Sequence, residues 1–436
     1  MAETTYRPTP EDNALLDEVT HAAFLFFTEE AHPVTGLIAD KTSLREVCSV
    51  AVQGFGFAVL PVGVERGWIT REDAEDLALR GLRTLRDTSG KRYGMFAHFL
   101  DMETGEPSRD GYESGASTID SALMIAGALA AGEYFGGEVK QLANQIYAEM
   151  DWASYQHSGR DNQVHMLWEP RTPADFAGPG RFTPPRWDWY TDEGLLISLL
   201  GIGAPNPEFR LGPEAMTNWN RPMGRYKDGE PFVYTYPGTL FTYTFAQCFF
   251  DFRRVGPDTE GIDWFENTRR AAMANRDWCR DNAKEFATYG QDRWGITASG
   301  GPAHTYVVPG HQPRGAEGNS PAEGTLALYG APMVMPWLPR DSMAALRHMR
   351  GLLVNGKSLW IDPADGGYGL VDAFNIDRKW VSGEYFGIAN GPMIIGIENA
   401  RTGLVWDLFH QNEHIAAALT RAGFASYQPV PPPFIP

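Results

Sequence analysis

Two pairs of acids stand at the starts of apolar segments and could do proton chemistry. Glu113 and Asp120 bracket the polar-to-apolar transition of Gly111–Gly127, read GYESGASTIDSALMIAG. Asp192 and Glu193 open a second apolar segment behind Trp187-Asp188-Trp189-Tyr190-Thr191. A carboxylate at a helix start can accept free backbone N–H groups and is favoured by the helix dipole, which holds it in place and lets its neighbours set its pKa. The competing reading makes Ser117 or Thr118 the cap and leaves the acids solvated. Further candidates lie on loops: His98 and Asp101 in FAHFLDM, Trp294 and His304, and Trp380, Glu384 and Tyr385. Two acids on separate loops framed by tryptophans are what glycoside hydrolysis needs. One carboxylic acid protonates the leaving oxygen, and the other activates water or attacks the sugar carbon.

Helical periodicity supplies the elements that must position these groups. It predicts helices over Pro10–Phe27, Cys48–Val64 and from Thr70 to Thr88, with Gly54 and Gly56 permitting close packing. Further helices are expected over Thr118–Tyr134, Val139–Ala153, Thr191–Leu200, Thr239–Phe252, Trp264–Phe286, Thr325–Met335 and Asp341–Leu353. Gly391–Thr402 and Leu404–Ala422 complete the set. Long loops rich in Gly, Pro and Trp separate them at Ser158–Trp189, Thr288–Gln312 and Ile361–Tyr385, and loops of that length are usually functional. The reading is one all-α domain over residues 1–436, of about six helical hairpins with minor strands, ending in an extended Pro-rich tail at 429–436. Periodicity alone leaves a closed toroid and an open helical array as alternatives.

Composition bounds the partners. The 436 residues are 43% hydrophobic and 21% charged, as in a globular protein with a sizeable core. Thirteen Trp, 17 Tyr and 24 Phe supply faces on which sugar rings stack, although most aromatics in any chain are core. A net charge of −18 argues against nucleic acid and anionic membranes, because phosphate binding requires clustered Lys and Arg. A neutral small-molecule or oligosaccharide substrate is expected, with no cofactor. The N-terminus shows no secretory signal and no apolar run is long enough to span a bilayer, so a cytoplasmic location is expected. Three scattered cysteines disfavour a disulfide framework.

Two sequence patterns are set aside. Gly351–Ser358 (GLLVNGKS) matches the phosphate-loop spelling, but a helix precedes it and LWIDP follows, so the strand-to-helix context is missing. His410-Gln-Asn-Glu413-His414 matches an inverted zinc-protease pattern without a third ligand, and reads as a surface helix with no metal.

Several segments in order resemble the glycoamylase-like family, which includes bacterial endo-β-1,2-glucanases and the C-terminal domain of cyclic β-1,2-glucan synthases. They are GVERGWIT (63–70), FAHFLDMETG (96–105), ESGASTIDSALMIAGALAAGEYF (113–135) and YTDEGLLISLLGIGAP (190–205). WGITASGGP (294–302), YGLVDAFN (368–375) and GPMIIGIENARTGLVW (391–406) follow. The resemblance implies an (α/α)6 barrel with its active site in the cavity at one end, acting on β-1,2-linked glucose. It also implies Glu113 and Glu193 as catalytic acids with Asp120 close by. Substrate contacts are then expected from His98, Asp101, Trp187, Trp189, Tyr190, Trp294, His304, Trp380, Glu384, Tyr385 and Asn390. Relatives often read G-I-D-Q-G-P where this chain has Gly387-Ile388-Ala389-Asn390-Gly391-Pro392, so an altered substrate is expected. A transglycosylase, a hydrolase of another β-glucoside and a non-catalytic oligosaccharide-binding barrel are the alternatives.

Overall fold

In the computed structural model, which describes residues 6–108, 115–159, 162–302, 305–313 and 321–424, the most apolar helices are the most deeply buried. In chain order the helices are α1 Pro10–Glu29, α2 Val50–Glu65, α3 Arg71–Asp87, α4 Thr118–Phe135, α5 Gly137–Glu149, α6 Asp192–Gly203 and α7 Phe252–Val255. They continue as α8 Trp264–Asp281, α9 Gly330–Met333, α10 Pro339–Arg350, α11 Gly387–Arg401, α12 Leu404–Gln411 and α13 Glu413–Arg421. The chain is thus predominantly helical.

Helices α2, α4, α6 and α11 are apolar around most of their circumference and buried along nearly their whole length. Helices α3, α8, α10 and α13 carry one apolar stripe and a charged outer face. A helix hydrophobic all round must be enclosed, whereas a striped one can cover it from outside. The contacts follow that division. Helix α2 lies along α4 and α11, and α4 also touches α6, while α1 covers α11, α5 covers α4 and α13 covers α6. One cluster of buried apolar residues runs through the set from Leu16 to Phe424.

Four expected helices differ. Thr239–Phe252 becomes two 3-10 turns, Leu240–Tyr243 and Ala246–Cys248, followed by α7. Thr242 and Thr244 donate their hydroxyls to the carbonyls of Thr239 and Phe241, which competes with a regular helix in this threonine- and aromatic-rich stretch. Thr325–Met335 begins as a strand pair, Leu326–Ala327 with Ala373–Phe374, and only Gly330–Met333 is helical. Trp264–Phe286 stops at Asp281, where Asn282 turns its amide onto the Trp278 carbonyl. Leu404–Ala422 is split at Asn412, whose side chain caps α13 by accepting from the His414 N–H at 3.1 Å.

The two patterns set aside acquire definite structures. Leu353–Val354 and Lys357–Ser358 form a hairpin turned on Asn355-Gly356, both at positive φ, as a two-residue hairpin loop requires. His410 is buried rather than on a surface helix. Its Nε2 accepts from the Asp251 N–H at 2.9 Å, and burial lowers its pKa to about 4. The Pro-rich tail lies outside the described residues. Among those described, no helix is long and apolar enough to cross a membrane.

Candidate active site

The N-terminal ends of α2, α4, α6 and α11 converge on a cavity of about 420 Å3, a size ordinary for a small-molecule site. Short strands draw the connecting loops to the same place. Val47–Ser49 pairs antiparallel with Phe99–Asp101, setting Ser49 opposite Phe99, and Lys41 bridges to Phe386 ahead of α11. Asp40, Lys41, His98, Asp120 and Glu193 provide the polar wall, and aromatic rings including Phe241, Tyr306 and Phe386 join aliphatic side chains such as Ile119 and Leu123 on the apolar one. A second, more open groove of about 540 Å3 carries Trp187, Trp189 and Tyr236. Glu193 belongs to both walls, so it stands where the cavity meets the groove.

Each acid is placed by a local rule. Ser117 caps α4, and Asp120 in the first turn accepts the Ser117 hydroxyl, with His98 Nε2 3.3 Å from its other oxygen. The His98 ring is stacked on Phe99, with centroids 3.9 Å apart. Thr191 caps α6 by accepting the Gly194 N–H at 3.0 Å, which puts Asp192 and Glu193 in its first turn. Asp192 turns inward, fully buried, and accepts from the Tyr190 hydroxyl and the Gln247 N–H. Glu193 turns to the cavity, half-buried, and among the described residues no donor reaches its carboxyl.

These surroundings raise the pKa values of several acids toward neutrality. Burial, then the charges of Asp120 and Asp192, raise Glu193 to about 8. Burial raises Asp192 to about 7 against the opposing hydrogen bonds from Gln247. Asp40 reaches only about 6, because His98 and Lys41 offset burial and the charges of Asp120 and Glu384. Behind the wall, buried Asp372 accepts the Gly300 N–H at 2.7 Å and is raised by burial to about 7. Burial of its hydroxyl end, followed by the charges of Asp372, Asp40 and Glu193, raises the Tyr306 phenol.

Of the residues expected from sequence, His98, Asp120 and Glu193 meet in the cavity, and Trp187, Trp189 and Glu193 meet in the groove. Trp187 donates its indole N–H to Thr118 Oγ1 at 3.0 Å, tying the groove to the start of α4. Glu113 and His304 lie outside the described residues. Others are placed elsewhere. Trp294 is completely buried in the core, and Tyr190 is buried against Trp264, with ring centroids 4.7 Å apart. Tyr385 is buried edge-on to Tyr368, and Asn390 is buried in the first turn of α11. Asp101 closes a turn by accepting the N–H groups of Glu103 and Thr104. Trp380 is half-buried on a strand paired with Asn375, and Glu384 acts on the site through its charge on Asp40 and Asp372. Sequence reasoning passed over Asp40, Lys41, Tyr306 and Asp372 as site residues, and it carried Asp192 only as the neighbour of Glu193. Only for Asp192, beside Glu193 in the same first turn, did a local signal exist.

Replacing Trp189 and Trp294 in parallel separates groove from core. Trp294→Ala should cost about 3–5 kcal/mol of stability, the usual cost of truncating a buried Trp. Trp189→Ala, which removes a half-buried ring from the groove, should leave the melting temperature near wild type and weaken oligosaccharide binding. Calorimetric unfolding and titration on both variants check this, and the reverse pattern would show that Trp189 serves packing.

Residues 185–413 match the family model described as "Glycoamylase: Putative glucoamylase". A curated protein of Parabacteroides distasonis, named exo beta-1,2-glucooligosaccharide sophorohydrolase (non-reducing end), is 26% identical over 97% of this chain. The chain spans 59% of that relative's length. A crystal structure from Bacteroides uniformis, described as a "putative glucoamylase", is 26% identical with a TM-score of 0.81, covering 97% of this chain and 98% of its own. An endo-beta-1,2-glucanase from Chitinophaga pinensis, solved with sophorotriose and glucose, shares the fold at 24% identity and a TM-score of 0.80, over 94% of this chain and 98% of its own. The matched family span takes in more than half of the chain, including Glu193, both tryptophans of the groove and the first turn of α11, and on that ground the chain belongs to the glycoamylase family.

Proposed function

We propose that this chain is a glycoside hydrolase that cleaves β-1,2-linked gluco-oligosaccharides with inversion, using Glu193 as the general acid. The observation that carries the reading is the state and position of Glu193. Burial and the charges of Asp120 and Asp192 favour its protonated form at neutral pH, and it stands where the cavity meets the aromatic groove. A bond protonated there would have sugar on both sides, one part in the cavity and the other stacked toward Trp189. Asp120, held by Ser117 and His98, keeps Glu193 protonated through its charge and orients hydroxyls in the cavity. Glu113 remains assigned to the site by family resemblance. The names of the Parabacteroides and Chitinophaga relatives support the β-1,2 linkage. Apolar Ala389, buried in the first turn of α11 where relatives often carry Asp, favours short oligosaccharides over long linear polymer. We read the enclosed helices and their outer cover as a single (α/α)6 barrel domain spanning the chain.

The test is product analysis on a panel of differently linked gluco-oligosaccharides. Cleavage of the β-1,2 series, with the α anomer formed first, is the expected result. Turnover of another linkage alone would replace the substrate assignment, and a β anomer formed first would indicate retention. The pH dependence has a defined sign. An acid catalyst must be protonated, so kcat/KM should fall as pH rises through about 8, where Glu193 ionises.

A further inference from the structure

Other carboxylates lie in and around the cavity besides Glu193, and their surroundings sort them. Asp120 is occupied by the Ser117 hydroxyl and His98. Asp372 is buried behind the wall, with one oxygen held by Gly300, and Glu384 does not reach the wall. Asp40 differs from all three. It is half-buried on the wall itself, and among the described residues no N–H or O–H donates to its carboxylate. Its main chain, by contrast, is fixed on both sides. The Asp40 N–H donates to the Val47 carbonyl at 2.8 Å, and its own carbonyl accepts from the Gly387 N–H at 3.0 Å. Next to it, Thr42 N–H donates to the Tyr385 carbonyl and Tyr385 N–H donates to Thr42 Oγ1, each at 3.1 Å. The loop is therefore sewn to the entry of α11, whose own first turn offers only Ile388, buried Ala389 and buried Asn390. A carboxylate carried on a fixed main chain, with neither oxygen taken by a donor among the described residues, is suited to take a proton from water. His98 and Lys41 on the same wall favour its ionised form against Asp120 and Glu384.

We propose that Asp40 is the general base that partners Glu193, an inference that rests on the hydrolase reading above. Asp40 takes a proton from a water molecule as the water oxygen bonds to the anomeric carbon. The glycosidic carbon–oxygen bond breaks, its electron pair goes to the departing oxygen, and that oxygen receives the proton of Glu193. One water is consumed per bond, and the two carboxyl groups exchange protonation states.

The experiment compares wild type, Asp40→Asn, Asp40→Ala and Glu193→Gln on β-1,2-gluco-oligosaccharides and on a β-glycosyl fluoride, whose leaving group needs no proton. Asp40→Asn should lose about 10²–10⁴-fold in kcat on both substrates, with KM and melting temperature unchanged. Glu193→Gln should lose its activity on the oligosaccharide alone. In Asp40→Ala, azide should restore turnover with a glycosyl azide as product, because an anionic nucleophile needs no base. The rising limb of the wild-type pH profile, near pH 6, should be absent from Asp40→Asn. Should Asp40→Asn not fold, the azide product of Asp40→Ala decides. An Asp40→Asn within about tenfold of wild type, or one impaired on the oligosaccharide but active on the fluoride, overturns the assignment. Absence of azide product from a folded Asp40→Ala does the same. A wild-type protein that cleaves no β-glucoside removes the hydrolase reading and this inference together, whereas active wild type with active Asp40→Asn removes this inference alone.

Discussion

Glu193→Gln should reduce kcat on β-1,2-gluco-oligosaccharides by about 10²–10⁴-fold, the range usual for removing a general acid. Glutamine keeps the shape and the position in the first turn of α6, which Thr191 caps independently. What it lacks is a proton to give. The loss should therefore shrink on substrates whose leaving group departs as a stable anion, such as a dinitrophenyl glucoside. A second readout uses linkage between protonation and folding. The carboxyl of Glu193 has a folded-state pKa raised to about 8 from the ordinary carboxylate range. Its favourable contribution is complete below the unfolded pKa and is lost as pH rises through about 8. Glutamine does not titrate, so the variant should match wild type at about pH 4, melt increasingly higher than wild type as the pH rises toward about 8, and keep that margin above it. A variant with full activity on the oligosaccharide would remove Glu193 from the reaction.

Gly127→Ala is the second large effect, and its sign is diagnostic. Glycine inside a helix is about 0.8–1.0 kcal/mol less favourable than alanine, so propensity alone predicts stabilisation. In the packed molecule, however, a Cβ at Gly127 would overlap the Gly54 carbonyl oxygen, and one at Gly54 would overlap the Leu123 carbonyl oxygen. Helices α2 and α4 thus meet backbone to backbone, and no flexible side chain is available to yield. The substitution should destabilise by about 1–3 kcal/mol or more, as overpacking does, measured by denaturant unfolding. Because α4 carries Asp120 and α2 begins beside Ser49, separating the two helices should also lower activity through the cavity wall. A stabilised Gly127→Ala would show that this contact is not tight.

The amino-acid sequence by itself determined most of the helices, because hydrophobic periodicity is a local property of a segment. The spans of α1, α3, α4 and α6 were legible to within a few residues, and so was the placing of Asp120 and Glu193 at helix starts. It also determined the family, since ordered motifs along the chain outweigh any one of them. Where side chains bond their own backbone, as in the threonine-rich Thr239–Phe252 stretch, periodicity misled. Only the tertiary structure decided which aromatics were walls and which were core. Trp189 and Trp294 sit in equally aromatic, loop-like stretches, yet one lines the groove and the other is fully buried. It alone also brought Asp40 into the site. Asp40 and Gly387 are joined by one backbone hydrogen bond between distant parts of the chain. No local pattern encodes such a contact, because it exists only once α2, α4, α6 and α11 have converged and their loops are drawn over the same cavity.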